Sequence, residues 1–387
     1  SNKSLLQLRL SISQDIDLDA FDYLNNTPSF DILTDLVERK RSITLCKELD
    51  PRDTKTNDAS KRLKHIQRKD KFIYDERGAK DLYIGWPYVE GKLNDGTPVR
   101  CPLIYFPVEI ELTNDEWQLQ IRKEITISFN KTFLLAYSHF NEVKIDEEFL
   151  DFNFSEFEKN LILFRTKLYE LLKDSPIDIN FNQDLFSNRI EKFVDFRKED
   201  FLHSYENGII KLQPYAVLGI FPQASSYLIP DYEHLVKTST YQNLEELFIN
   251  KTFTEEKAQN NFSYDYLTKI KEEHIITPLP IDASQENALK ALKEGHSLIV
   301  QGPPGTGKSQ LICNIASDYI ARGKRVLIVC QKRVALDVVY NRLKEINLAP
   351  FSALVHDFKS DRANLYKQID EQIESINDYE NKNNGYN

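Results

Sequence analysis

Long apolar runs are missing from this chain of 387 residues. No stretch approaches the roughly 18 apolar residues that mark a membrane span, so membrane function is not expected. The start, Ser1-Asn2-Lys3, has no apolar core of a signal peptide. It also lacks an initiator Met and reads as the scar of a cleaved tag. Cysteine is sparse: Cys46, Cys101, Cys313 and Cys330 stand far apart, with no C-x-x-C and no nearby His. That excludes a disulfide framework and a zinc site, and it fits a reducing cytoplasm. Methionine is missing altogether. That is unusual for a chain this size, so apolar periodicity near element ends carries less weight. Positive charge is in deficit, with a net charge of −10. This argues against nonspecific nucleic-acid binding by the whole surface and leaves room for a local basic groove. No internal repeat occurs. Hydrophobic residues at 41% and charged residues at 28% are ordinary for a globular protein of two or three domains.

What is present centres on Gly302-Pro303-Pro304-Gly305-Thr306-Gly307-Lys308-Ser309, a complete G-x-x-x-x-G-K-[ST] phosphate-binding loop. Ser297 to Gln301 before it suits a buried parallel strand. Gln310 to Ala321 after it places Leu311, Ile312, Ile315, Ala316, Tyr319 and Ile320 on one helical face. Strand, glycine loop and helix turn backbone amides and a helix dipole toward a phosphate. Lys308 can reach the β- and γ-phosphates of a nucleotide such as ATP, and the Ser309 hydroxyl can ligate Mg²⁺. Downstream, Lys324 to Cys330 is expected as a second buried parallel strand, with Gly323 closing the helix between as a terminating glycine. This makes a βαβ unit.

Upstream, Asp282 or Ser284 can cap a helix that begins with Gln285. A Gln amide both donates and accepts, which matches N6 and N7 of adenine. Taken alone, such a Gln is a cap or a solvent-exposed side chain. Ahead of a phosphate loop, adenine recognition becomes the stronger reading.

Along the rest of the chain, residues 1–70 read as a polar helical segment. It includes an apolar face at Phe30 to Val37 and a basic run at Lys61, Arg62, Lys64, Arg68, Lys69 and Lys71. On a helix these basic positions would spread over much of the surface. A solvated face is therefore preferred to a phosphate-contacting patch. Residues 71–250 read as an accessory α+β domain. A small antiparallel sheet is expected from Asp81 to Val89, Val99 to Leu112 and Trp117 to Phe129, with a turn at Asn94-Asp95-Gly96-Thr97 and with Pro102 and Pro107 confined to edges or bulges. A helix opens after Phe129. Residues 146–205 read as helical and aromatic, and strands return at Ile209 to Leu212 and Ala216 to Phe221. Residues 232–274 read as a polar helical link, and Asn381 to Asn387 as a frayed end. Residues 251–387 complete the reading as the start of an α/β RecA-like P-loop NTPase lobe.

The series D-x-S-Q-x-x-A-L at Asp282, Q-G-P-P-G-T-G-K-S at Gln301 and R-V-L-I-V-C-Q-K-R-V-A-L-D-V-V-Y-x-R-L at Arg325 resembles superfamily 1 helicases, in the branch that includes the nonsense-mediated-decay helicase. The three stretches resemble the Q motif, motif I and motif Ia. The last is similar to a group of large bacterial helicase-like proteins whose N-terminal domain has no assigned function. That group often carries a C-terminal nuclease-like domain and is associated with defence against foreign DNA. Glu76 to Gly85 and Cys101 to Glu109 resemble that N-terminal domain, as do Leu218 to Phe221 and Tyr227 to Tyr232, and His356 sits where such proteins have a Leu-His-Ser.

The resemblance implies ATP and Mg as cofactors. Gly302 to Ser309 and Gln310 would surround the phosphates, Lys308 and Ser309 would take catalytic roles, and Gln285 would read adenine. Lys332 and Arg333 would lie near the face that binds nucleic acid, DNA in preference to RNA, with an ordinary solvated loop as the equal alternative. A helicase also needs a Walker B carboxylate, a water-positioning acid and an arginine finger. No apolar strand ending in Asp-Glu follows Cys330. The expectation is therefore the N-terminal piece of a longer ATPase, inactive alone. Two alternatives stand beside it: a P-loop switch that does not unwind, and a binding module with a vestigial loop.

Overall fold

A run of β-branched and aromatic residues around Tyr83, Ile84, Tyr105 and Phe106 lies at the centre of the largest sheet. The computed structural model describes residues 2–154, 157–180, 187–223, 274–356 and 358–384, with Leu235 and Thr238 between them. The chain divides into two units, Ser1–Tyr74 with Ala79–Lys237, and Asp75–Gly78 with Thr238–Asn387.

Among the described residues the first unit holds ten strands: β1 (Asp15–Asp17), β2 (Ile43–Lys47), β3 (Leu82–Gly85), β4 (Tyr88–Lys92), β5 (Pro98–Pro102), β6 (Ile104–Thr113), β7 (Glu116–Ile121), β8 (Ser128–Phe129), β9 (Ile210–Gln213) and β10 (Val217–Ile220). Seven form a sheet in the order β1-β10-β3-β6-β7-β2, with β8 also on β6. A second sheet runs β5-β4-β9. All the ladders are antiparallel. The expected turn at Asn94 to Thr97 joins β4 to β5, with Gly96 at φ +88°.

The N-terminal segment is not a separate helical piece. Ile16 of β1 pairs with Leu218 of β10, and Ile43 of β2 pairs with Leu119 of β7. Helices α1 (Phe30–Val37) and α2 (Thr54–Arg77) bury Leu33, Leu36, Leu63 and Ile66 in the same core as the sheet. Strands of three and five residues are too short to show a period, and their partners lie far away in sequence. The expected division at residue 70 therefore has no counterpart in the packing.

Pro107 is not at an edge. It sits in β6 opposite Tyr83, where the strand turns from pairing with β8 at Tyr105 to pairing with β7 at Val108. The missing N–H of a proline falls in that gap, so no ladder bond is lost. Pro102 does end an edge strand.

Helix α3 (Lys131–Phe140) starts where the sequence indicates, capped by buried Asn130, whose Oδ1 accepts from the Phe133 amide at 3.2 Å. The amide of Asn130 also donates to the carbonyls of Ser4 and Pro102. The acidic region holds α4 (Glu147–Leu150), α5 (Leu161–Lys173) and α6 (Lys198–Ser204), and residues 187–197 are irregular rather than helical. Phe164, Leu168 and Leu172 form a buried stripe on α5.

The second unit holds α7 (Ala283–Lys293), α8 (Lys308–Ala321), α9 (Arg333–Glu345) and α10 (Phe358–Asn384). α8 and α9 meet through Cys313, Ala316, Val339 and Leu343. The two expected parallel strands are not formed among the described residues. Residues 297–301 and 324–330 run without ladder partners. Ile299, Leu327 and Val329 are 91%, 88% and 81% exposed. Ile328, between the latter two, packs on the α8–α9 cluster. The alternation is that of a strand with one face covered by helices and the other bare, and a strand without a lateral neighbour has nothing to bond. Cys313 is buried and Cys330 half-buried. Helix α10 continues through Asn384, so residues 381–384 of the expected frayed end are helical, and the rest of that segment lies outside the described residues. Apart from Leu235, Thr238 and His274, the expected link at 232–274 lies outside the described residues, as do the segment Tyr227 to Tyr232 and the boundary at 250. No helix of the described residues is long and apolar enough to cross a membrane.

Candidate nucleotide-binding site

The phosphate loop is positioned by polar residues on its own helix. Asn314 accepts from the Leu279 amide at 3.0 Å and donates to the Leu279 carbonyl at 3.0 Å. One turn later, buried Asp318 accepts from the Ile276 amide at 2.9 Å and pairs with Lys293 and Arg322. Gln310 donates to the Pro280 carbonyl at 2.6 Å. These tethers fix the approach to α7. Asp282, rather than Ser284, caps that helix by accepting from the Gln285 amide at 2.8 Å. Asn314 and Asp318 were not singled out from sequence. Their signal is two polar residues four apart, a spacing that puts both on one face of the helix.

Gln285 then lies on the loop. Its Nε2 donates to the Thr306 carbonyl at 3.4 Å. Its Oε1 is buried and has no hydrogen-bond partner among the described residues. Within the loop, Thr306 Oγ1 donates to the Pro303 carbonyl at 2.9 Å. The Lys308 ammonium donates to the Gly302 carbonyl and, at 2.7 Å, to that of Pro303. Gly305 and Gly307 have φ of +89° and +75°. Gly307 is the N-cap of α8 and brings no side-chain oxygen to the first amides, and Ser309 is the second residue of that helix. A helix N-terminus without a side-chain cap leaves its amides directed outward for an anion.

The residues present fit a nucleotide. A Cβ at Gly302 would stand 2.4 Å from Thr306 Oγ1, and one at Gly307 2.6 Å from Gln285 Nε2, so the loop closes only around bare backbone. The orphaned Gln285 Oε1 is an acceptor suited to an exocyclic amine.

Lys332 and Arg333 are placed elsewhere, at the start of α9. Within the second unit, Lys332 pairs with Glu76 at 2.9 Å and Arg333 with Asp337 at 3.4 Å. Asp337 also holds His356 Nε2 at 2.8 Å. The structure therefore gathers Gln285, the loop and Gln310, while the two basic residues sit in ion pairs at another helix.

A family model described as a protein of unknown function (DUF4011) matches residues 9–136, and one described as an AAA domain matches residues 280–383. The uncharacterized ATP-dependent helicase MG140 of Mycoplasma genitalium is 28% identical over 350 residues, covering 85% of this chain and 28% of that protein. Its homolog in Mycoplasma pneumoniae is 27% identical over 373 residues, covering 89% and 30%. The DNA polymerase alpha-associated DNA helicase A of Schizosaccharomyces pombe is 34% identical over 79 residues, covering 20% of this chain and 12% of that protein. The chain thus spans under a third of the length of these curated relatives. No solved structure matches it. Residues 9–136 are thus similar to the DUF4011 family and residues 280–383 to the AAA-domain family, and most of the chain is similar to proteins described as ATP-dependent helicases.

Proposed function

We propose that this chain carries the nucleotide-binding start of the first RecA-like lobe of an ATP-dependent DNA helicase or translocase, and that it binds Mg-ATP. The observation that carries the reading is Gln285 laid against the Thr306 carbonyl, with an unpartnered acceptor beside a glycine loop that opens a helix. In this reading the amides from Gly305 to Ser309 hold the phosphates. Lys308 leaves the Gly302 and Pro303 carbonyls to neutralise β/γ charge, the Ser309 hydroxyl holds Mg²⁺, and Gln285 Oε1 accepts from the adenine amine. Mg-ATP supplies a phosphoanhydride whose hydrolysis can drive movement on a strand. The relative named a DNA helicase supports DNA over RNA as the partner. Motor action needs a second lobe closing on the nucleotide, so binding is the activity proposed for this chain alone.

Titration calorimetry of ATP and ADP with Mg²⁺ tests it, on the chain and on Lys308→Ala. Binding by the intact chain, weakened by about tenfold or more in the variant (~1.4 kcal/mol), is the expected result. Equal binding by both, or none by the intact chain, would sink the reading in favour of a vestigial loop.

A further inference from the structure

We propose that the exposed face of α2 is a platform for single-stranded nucleic acid, a second contact surface outside the helices that follow the phosphate loop. The inference rests on the nucleic-acid partner of the proposed function, and its test separates the two. On α2 the basic run sorts itself by direction. Arg62 turns inward and donates to the Asp15 carbonyl at 3.1 Å. Lys69 places its ammonium 5.2 Å from the Phe72 ring centre. Lys61, Lys64, Arg68 and Lys71 recur at intervals of three and four residues, which puts them on one face. The opposite face, with Leu63 and Ile66, is buried in the core. At 1.5 Å per residue the four cations extend over about 15 Å, long enough to follow several phosphates.

These charges are weakly compensated. Lys61 is 3.8 Å from Asp58, and both side chains are 76% exposed. Lys64 is 4.0 Å from Glu48, with the lysine 54% exposed. Arg68 and Lys71 have no ion-pair partner among the described residues. A row of cations on a chain of net charge −10 selects a local polyanion. A membrane surface is disfavoured, because a helix lying on lipid needs its apolar face free, and here that face packs on the sheet. At the end of the row Phe72 is 57% exposed, in line with Lys61, His65 and Arg68. An aromatic ring beside a phosphate-binding row is a stacking surface for an unpaired base, which favours a single strand over a duplex.

The test is fluorescence anisotropy of a labelled oligothymidylate with the intact chain, without nucleotide, over a series of salt concentrations. The variants are Lys61→Gln/Lys64→Gln/Arg68→Gln/Lys71→Gln, Phe72→Ala and Lys332→Gln/Arg333→Gln. Gln keeps helix propensity. The quadruple variant is expected to reduce the slope of log K against log salt by about 2–3, at ~0.7 per phosphate contact on a single strand. Phe72→Ala is expected to weaken the single strand more than a duplex of the same length. Should the quadruple variant fail to fold, the two pairs Lys61→Gln/Arg68→Gln and Lys64→Gln/Lys71→Gln should each remove about half of that slope. An unchanged slope in the α2 variants, loss confined to the Lys332/Arg333 variant, or no binding by the intact chain would each overturn the platform. Heparin binding with no effect of Phe72→Ala would do so too, since it would show a general polyanion surface. None of these outcomes bears on ATP binding, which calorimetry of Lys308→Ala reads separately.

Discussion

Two buried charges show how much of the first unit is decided side chain by side chain. Arg100 is fully buried, paired with Glu90 at 3.2 Å, donating to the Val194 carbonyl at 2.6 Å and packed 3.9 Å from the Phe193 ring centre. It fastens the irregular segment at 187–197 to the β4–β5 hairpin. Asp17 holds the same segment from the other side, accepting from the Phe193 amide at 2.6 Å and from the Asp19 amide at 3.2 Å. Burial raises the Asp17 carboxyl from 3.8 to about 6, against the opposing pull of those amides. Between these values the folded chain keeps a proton that the unfolded chain has released. The stabilising contribution is therefore full below about pH 4 and is lost as pH rises through about 6. A shift of two units corresponds to at most ~3 kcal/mol. Urea unfolding of Asp17→Asn, which keeps an acceptor for the Phe193 amide, should show a flatter stability profile than the native chain between pH 4 and 6. Parallel profiles would show that the carboxyl titrates normally.

At the scale of elements, the join between loop and α8 is the sensitive point. Gly307 combines φ of +75° with a side chain 2.6 Å from where its Cβ would be. Gly307→Ala adds backbone strain of order 1 kcal/mol and pushes Gln285 off the loop. The expected outcome is ATP affinity reduced by about tenfold or more with the far-ultraviolet circular dichroism unchanged. Retained affinity would mean that Gln285 does not need its place on Thr306. The P-loop and α8 were legible because they depend on contiguous residues: fixed glycines, a lysine and a helical stripe. The β4–β5 turn and the Asn130 helix start were legible for the same reason. Pro107 in an interior strand was not, because its tolerance depends on where β7 and β8 divide their pairing with β6.

For the molecule as a whole, the two units have separate cores, one around the sheets and one where α8 meets α9. Scanning calorimetry should therefore resolve two transitions. Mg-ATP should raise one of them by mass action, and Leu343→Ala should lower that same one. Leu119→Ala, in the first core, should lower the other, each at a cost of about 2–5 kcal/mol. A single transition shifted by all three changes would contradict the division.

The sequence by itself determined the glycine loop, the helix that follows it and the strand-rich character of the region after residue 80. Each is written in local spacing and in residue chemistry that needs no distant neighbour. Only the tertiary structure decided that the first 70 residues belong to the sheet, since β1 and β2 exist through hydrogen bonds to β10 and β7. It also separated the inward Arg62 from the outward row of Lys61, Lys64, Arg68 and Lys71, because side-chain direction on a helix follows from which face the core covers. And it left 297–301 and 324–330 unpaired, because an apolar run becomes a strand only when another strand lies beside it to bond.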